Sequence, residues 1–139
     1  MLVLANTCIW SLALRRKSNR LTTTEVSLRE ELHELVDEGR IRMLGPIRQE
    51  LLSGIREQFQ YERLREYLRA FSDEPLGVSD YELAAKLCNR CRSAGVAGSS
   101  ADFLICAVAL GRKWEILTFD RDFDAYRRIL GIALHRPRS

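Results

Sequence analysis

Two stretches of this chain are too short for helices and too apolar for loops: LVLA (2–5) and WEILTF (114–119). Continuous apolar runs of this length suit strands buried on both faces of a parallel sheet. Each ends on a polar side chain, Asn6 in the first case and Asp120 in the second. Parallel neighbours need a crossover between them, and the intervening sequence supplies helical stretches long enough to make it.

The remaining elements follow from periodicity and punctuation. A helix is expected through WSLALRR. A second runs over TTTEVSLREELHELVDEGR, with Thr22 three residues before Glu25 as a capping box and Leu28, Leu32, Leu35 and Val36 as its apolar stripe. IRML (41–44) is a short strand candidate, and Pro46 opens a helix that continues through IRQELLSGIREQF. Residues 60–72 suggest another helix, and a short strand is possible at Leu76 to Val78. Ser79 and Glu82 cap the next helix, ADFLICAVALG forms an apolar one, DRDFDAYRRIL another, and IALH (132–135) a last strand. The expected fold is α/β: one domain over residues 1–139, a parallel sheet of about four or five strands, and helices on both faces. In such sheets polar sites form beyond the carboxyl ends of the strands.

Composition narrows the function classes. The 139 residues are 46% apolar and carry 22 Lys and Arg against 19 Asp and Glu, only a mild lean toward polyanions. Cys88 and Cys91 form a CxxC, but no second pair or nearby histidine completes a zinc site, and a helix carrying two thiols is the better reading. Cys8 and Cys106 lie among apolar residues as small hydrophobes. The apolar start lacks a basic leader and is interrupted by Asn6 and Thr7, and no run approaches a membrane span. A reduced, cytoplasmic protein is expected. His33 and His135 are isolated, and no P-loop or GxGxxG motif is present.

Carboxylates are the remaining chemistry. Glu50 shares part of a helix's apolar face, although a flanking glutamate that snorkels or meets an arginine explains it equally well. Asp102 heads the inward face of the most apolar helix, three residues after Ser99 as N-cap, where the helix N-terminus keeps it ionised. Asp120 and Asp122 follow a strand and open a helix, and capping accounts for only one of them. An all-oxygen site of this kind suits Mg²⁺ or Mn²⁺, ions that activate water and clamp phosphate oxygens.

With LVLANTCIW, PIRQELLSGI, SSADFLICAVALG and ILTFDRDF in this order, the sequence resembles the PIN-domain ribonucleases, and more closely the VapC-type toxins of bacterial toxin–antitoxin pairs, over essentially its whole length. The resemblance implies a Mg²⁺-dependent endoribonuclease acting on structured RNA such as transfer or ribosomal RNA, a homodimer, and a small cognate antitoxin as partner. It implies a metal site of position 6 with Glu50, Asp102 and Asp120, Asp122 beside them, and Thr7 as a hydrogen-bonding support; a helix N-cap is the competing role for Thr7. Arg15, Arg16, Lys17 and Arg121 are candidate RNA contacts, with a solvated helix face as the alternative. The family pattern has aspartate at position 6, where this chain has Asn6. The amide is nearly isosteric but removes one negative charge, so weak metal binding and little cleavage are expected. Either a parental aspartate has been replaced to spare an expression host, which is the favoured explanation, or the protein is naturally degenerate. The alternative function is a non-catalytic PIN-like module acting in an antitoxin complex. A DxD phosphatase is disfavoured because ANTC offers neither of its carboxylates.

Overall fold

A computed structural model describes residues 1–15 and 20–138, apart from the Arg15 side chain. The candidate contacts Arg16 and Lys17, and the side chain of Arg15, therefore lie outside the described residues.

The elements run β1 (Val3–Ala5), α1 (Thr7–Arg15), α2 (Thr23–Asp37), β2 (Ile41–Arg42), α3 (Gly45–Leu52), α4 (Gln58–Leu68), α5 (Val78–Ser93), α6 (Ser100–Arg112), β3 (Glu115–Leu117) and α7 (Asp122–Leu130). The fold is α/β, with a parallel sheet in the order β2-β1-β3. Val3, Leu4 and Ala5 pair with Glu115, Ile116 and Leu117 on one side, and Val3 and Leu4 with Ile41 and Arg42 on the other. The strands are shorter and fewer than the apolar runs suggest. Parallel bridges Met43–Asp73 and Ile116–Leu134 extend both edges, so the expected last strand survives as one bridged residue.

All three residues of β1 are fully buried, which is why its sequence is uninterruptedly apolar. The core around it includes Ile9, Trp10, Ile47, Phe103, Ile116 and Phe123. The capping box of α2 forms as expected: Thr22 Oγ1 accepts from Glu25 N–H at 3.1 Å, and the Glu25 carboxylate accepts from Thr22 N–H at 2.9 Å.

Three local expectations are corrected. The helix opened by Pro46 does not pass Gly54. It ends at Leu52, because Ser53 is extended and Gly54 turns the chain at φ +84°, a conformation that costs a side-chain-bearing residue more. Leu76 to Val78 is not a strand, and Ser79 is not an N-cap. Gly77 precedes α5, and Asp80 at its third position accepts from Gly77 N–H at 2.9 Å, so the helix starts at Val78. The cysteines behave as expected: all four are free, and Cys88 and Cys91 both ride on α5. Among the described residues no helix is long and apolar enough to cross a membrane.

Candidate metal centre

β1 is the central strand, and the chain goes to one side of it for β2 and to the other for β3. Such a switch leaves a crevice beyond the carboxyl ends of the strands. Asn6 and Thr118 are the residues just past Ala5 and Leu117, which pair in register. Backbone and side chains bind them together: Asn6 N–H donates to Leu117 O at 2.9 Å, and Asn6 Nδ2 donates to Thr118 Oγ1 at 3.1 Å. Thr118 Oγ1 also accepts from Asp120 N–H at 3.0 Å and lies 3.4 Å from Cys8 Sγ. The Asn6 amide oxygen accepts from Thr7 N–H at 2.8 Å. That bond fixes which end of the amide is oxygen, leaving the NH₂ to face Thr118 and Cys8.

Asp120 Oδ1 accepts from Asp122 N–H at 3.0 Å, so one aspartate of DRD caps the turn into α7 and the other is left over. Asp102 enters from α6, where its N–H donates to the Ser99 hydroxyl at 3.1 Å in the expected N-terminal arrangement. Asp102, Asp120 and Asp122 each offer one oxygen, all within 4.8 Å of one another. No lysine or arginine among the described residues forms an ion pair with any of the three. Burial pushes the Asp102 carboxyl above its ordinary value. The charges of Asp120 and Asp122 add to that shift, and hydrogen bonds from Tyr126 and Ser99 oppose it.

Glu50 stands outside that trio. It is exposed rather than turned into the core, and among the described residues it pairs with no arginine; Thr7 Oγ1 donates to its Oε2 at 2.7 Å. Thr7 is the first residue of α1 and supports Glu50 rather than capping the helix. Arg121 is exposed between Asp120 and Asp122.

Three residues of this region escape sequence reasoning. Thr118 is visible only once β1 and β3 are known to pair in register. Tyr126, whose hydroxyl donates to Asp102 Oδ2 at 2.8 Å, sits four residues after Asp122 and so on its helix face, a spacing that could have drawn attention. Gly98 packs against Tyr126: a Cβ there would stand 2.9 Å from its Cζ and closer still to its hydroxyl.

Fold and site together define an α/β protein with a carboxylate cluster at the switch point of a parallel sheet. The PIN domain family matches residues 6–129, and the chain belongs to it. PIN domains are in general nucleases. The chain is similar in structure to FitAcB from Neisseria gonorrhoeae at 20% identity and TM-score 0.75, with 98% of both chains covered. VapBC2 from Rickettsia felis, bound to a DNA fragment from their promoter, gives 16% identity and TM-score 0.74, covering 97% of this chain and 98% of the other. VapBC-1 from nontypeable Haemophilus influenzae gives 15% and 0.69, with both chains covered completely. At these identities the likeness is one of fold. No curated protein sequence matches the chain at significance.

Proposed function

We propose that the chain, as one PIN domain, is the toxic member of a toxin–antitoxin pair: a Mg²⁺- or Mn²⁺-dependent endoribonuclease attenuated by Asn6. The observation that carries this reading is the trio Asp102, Asp120 and Asp122, three carboxylates gathered at the switch point with no ion-paired lysine or arginine among the described residues. Keeping like charges this close costs stability unless a cation joins them, and an all-oxygen donor set fits a hard divalent ion. When bound, such an ion supplies charge neutralisation at a phosphodiester and acidifies water.

The chain's own residues divide the work. Asp102, Asp120 and Asp122 would hold the ion together with the position-6 side chain. Glu50, solvent-accessible and held by Thr7, orients the attacking water and receives its proton. Thr118 ties Asn6 to the Asp120 backbone, so a change at position 6 reaches the DRD turn directly. Arg121, exposed between Asp120 and Asp122, contacts RNA phosphates. Homodimerisation and a cognate antitoxin are the assembly we propose, in the cytoplasm; the structural neighbours include VapBC2 bound with DNA from their promoter.

Restoring aspartate tests the reading. Asn6→Asp is expected to arrest host growth and to cleave structured RNA only with Mg²⁺ or Mn²⁺, whereas the chain with Asn6 does neither. A folded Asn6→Asp protein that leaves RNA intact would sink the nuclease assignment.

One observation favours the second reading, a non-catalytic module in an antitoxin complex. Both ends of the Asn6 amide are already used, its NH₂ on Thr118 and its oxygen on Thr7 N–H. An aspartate at this position accepts only, so the Thr118 hydroxyl would have to turn its proton toward it. That module predicts antitoxin binding indifferent to Glu50→Gln and no cleavage with aspartate at position 6.

A further inference from the structure

Tyr126 is fully buried, and its ring packs against Phe103 and Phe123, each with centroids 5.1 Å away. A ring packed this way limits where its hydroxyl points, and that hydroxyl donates to Asp102 Oδ2 at 2.8 Å. Gly98 completes the seat, because any Cβ there would displace the phenol end of the ring.

We infer that Tyr126, seated by Gly98, is a positioning residue that makes Asp102 a one-oxygen ligand and so biases the site toward small six-coordinate cations over calcium. The inference rests on the metal-centre reading given above. The phenol O–H donates to Oδ2, which favours the other carboxylate oxygen as the metal donor. Mg²⁺ demands near-octahedral geometry with single oxygens, whereas Ca²⁺ takes six to eight oxygens and readily accepts both from one carboxylate. Outer hydrogen bonds of this type orient a ligand, and their loss typically weakens metal binding about 10- to 100-fold.

Calorimetric titration of Mg²⁺ and Ca²⁺ into the chain with Asn6 and into Asn6→Asp, each with and without Tyr126→Phe, tests it. Phenylalanine keeps the ring packing, and a thermal melt checks that the fold is retained. Tyr126→Phe is expected to weaken Mg²⁺ about tenfold and Ca²⁺ much less, narrowing the ratio between them. Gly98→Ala is expected to narrow it in the same direction by pushing the hydroxyl off Asp102. Unchanged Mg²⁺ affinity, or equal loss for both ions, overturns the positioning role and leaves the metal centre standing. No binding of either ion to either parent overturns the metal centre, and this inference with it.

Discussion

The two edges of the sheet treat acidic side chains in opposite ways. At the amino-terminal edge, Glu31 is 3% exposed yet fully compensated. His135 Nε2 lies 2.5 Å from its Oε2, and Arg138 Nε donates to its Oε1 at 3.1 Å. Arg138 also pairs with Glu34 and Glu38, Arg40 with Glu38, and His135 Nδ1 with Glu115 at the start of β3. At the carboxyl-terminal edge, Asp102, Asp120 and Asp122 crowd together with no such partner among the described residues. The pKa directions record the contrast. Burial raises the Glu31 carboxyl, but hydrogen bonds from His135 and Arg138 more than reverse it, whereas Asp102 ends above its ordinary value. One acidic cluster is stabilised from within the chain. The other has no basic partner among the described residues.

The largest expected effect lies in the compensated cluster. Glu31→Ala leaves His135 and Arg138 facing a buried gap, and a loss of about 2–4 kcal/mol is expected in urea denaturation. A loss below about 0.5 kcal/mol would mean that the cluster is solvated and that the contrast is false.

Asp102→Asn should act with the opposite sign. Without divalent cations it relieves like-charge crowding and the burial of a charge, and a gain of about 1 kcal/mol is expected, in the range of single stabilising substitutions. The same variant should lose the rise in melting temperature that Mg²⁺ gives the parent. Differential scanning calorimetry with chelator and with Mg²⁺ reads both, and destabilisation in chelator would break the comparison.

Acid titration gives the smallest effect and separates the clusters by sign. Glu31 is held below 4.5, so its contribution to stability is complete above that pH and is lost as the pH falls through the lower folded value. Asp102 is held above 3.8, so its ionised form weakens the native state near neutrality, and that cost vanishes as the pH falls through the raised folded value. Circular-dichroism melts across this range should show a shallower acid loss for Glu31→Gln and a steeper one for Asp102→Asn.

How much of this was legible depended on how far apart the cooperating residues stand in the chain. The Thr22 capping box and Ser99 as the cap of α6 were readable because each is closed by a bond spanning three residues. The break at Gly54 was missed because apolar spacing continues across it, and only the backbone turn ends the helix. The start of α5 was misplaced by competing caps a few residues apart, of which Gly77 with Asp80 prevailed. Glu50, Asp102, Asp120 and Asp122 stood out individually, and the order of strands with the family resemblance suggested that they share one site. The structure brings the three aspartates together and leaves Glu50 on Thr7. His135, isolated in sequence, joins Glu31 from 104 positions away.

The sequence by itself determined the α/β class, the buried strands that lead toward Asn6 and Asp120, and the uncharged amide at position 6. Apolar run length, caps and residue chemistry are local, and local rules read them. The tertiary structure alone decided that Thr118 links Asn6 to Asp120, that Tyr126 beside Gly98 bonds Asp102, and that one acidic cluster has basic partners while the other has none among the described residues. Those outcomes depend on which strand ends lie side by side. Strand order and register are set by packing of the whole core, which no single stretch of the chain encodes.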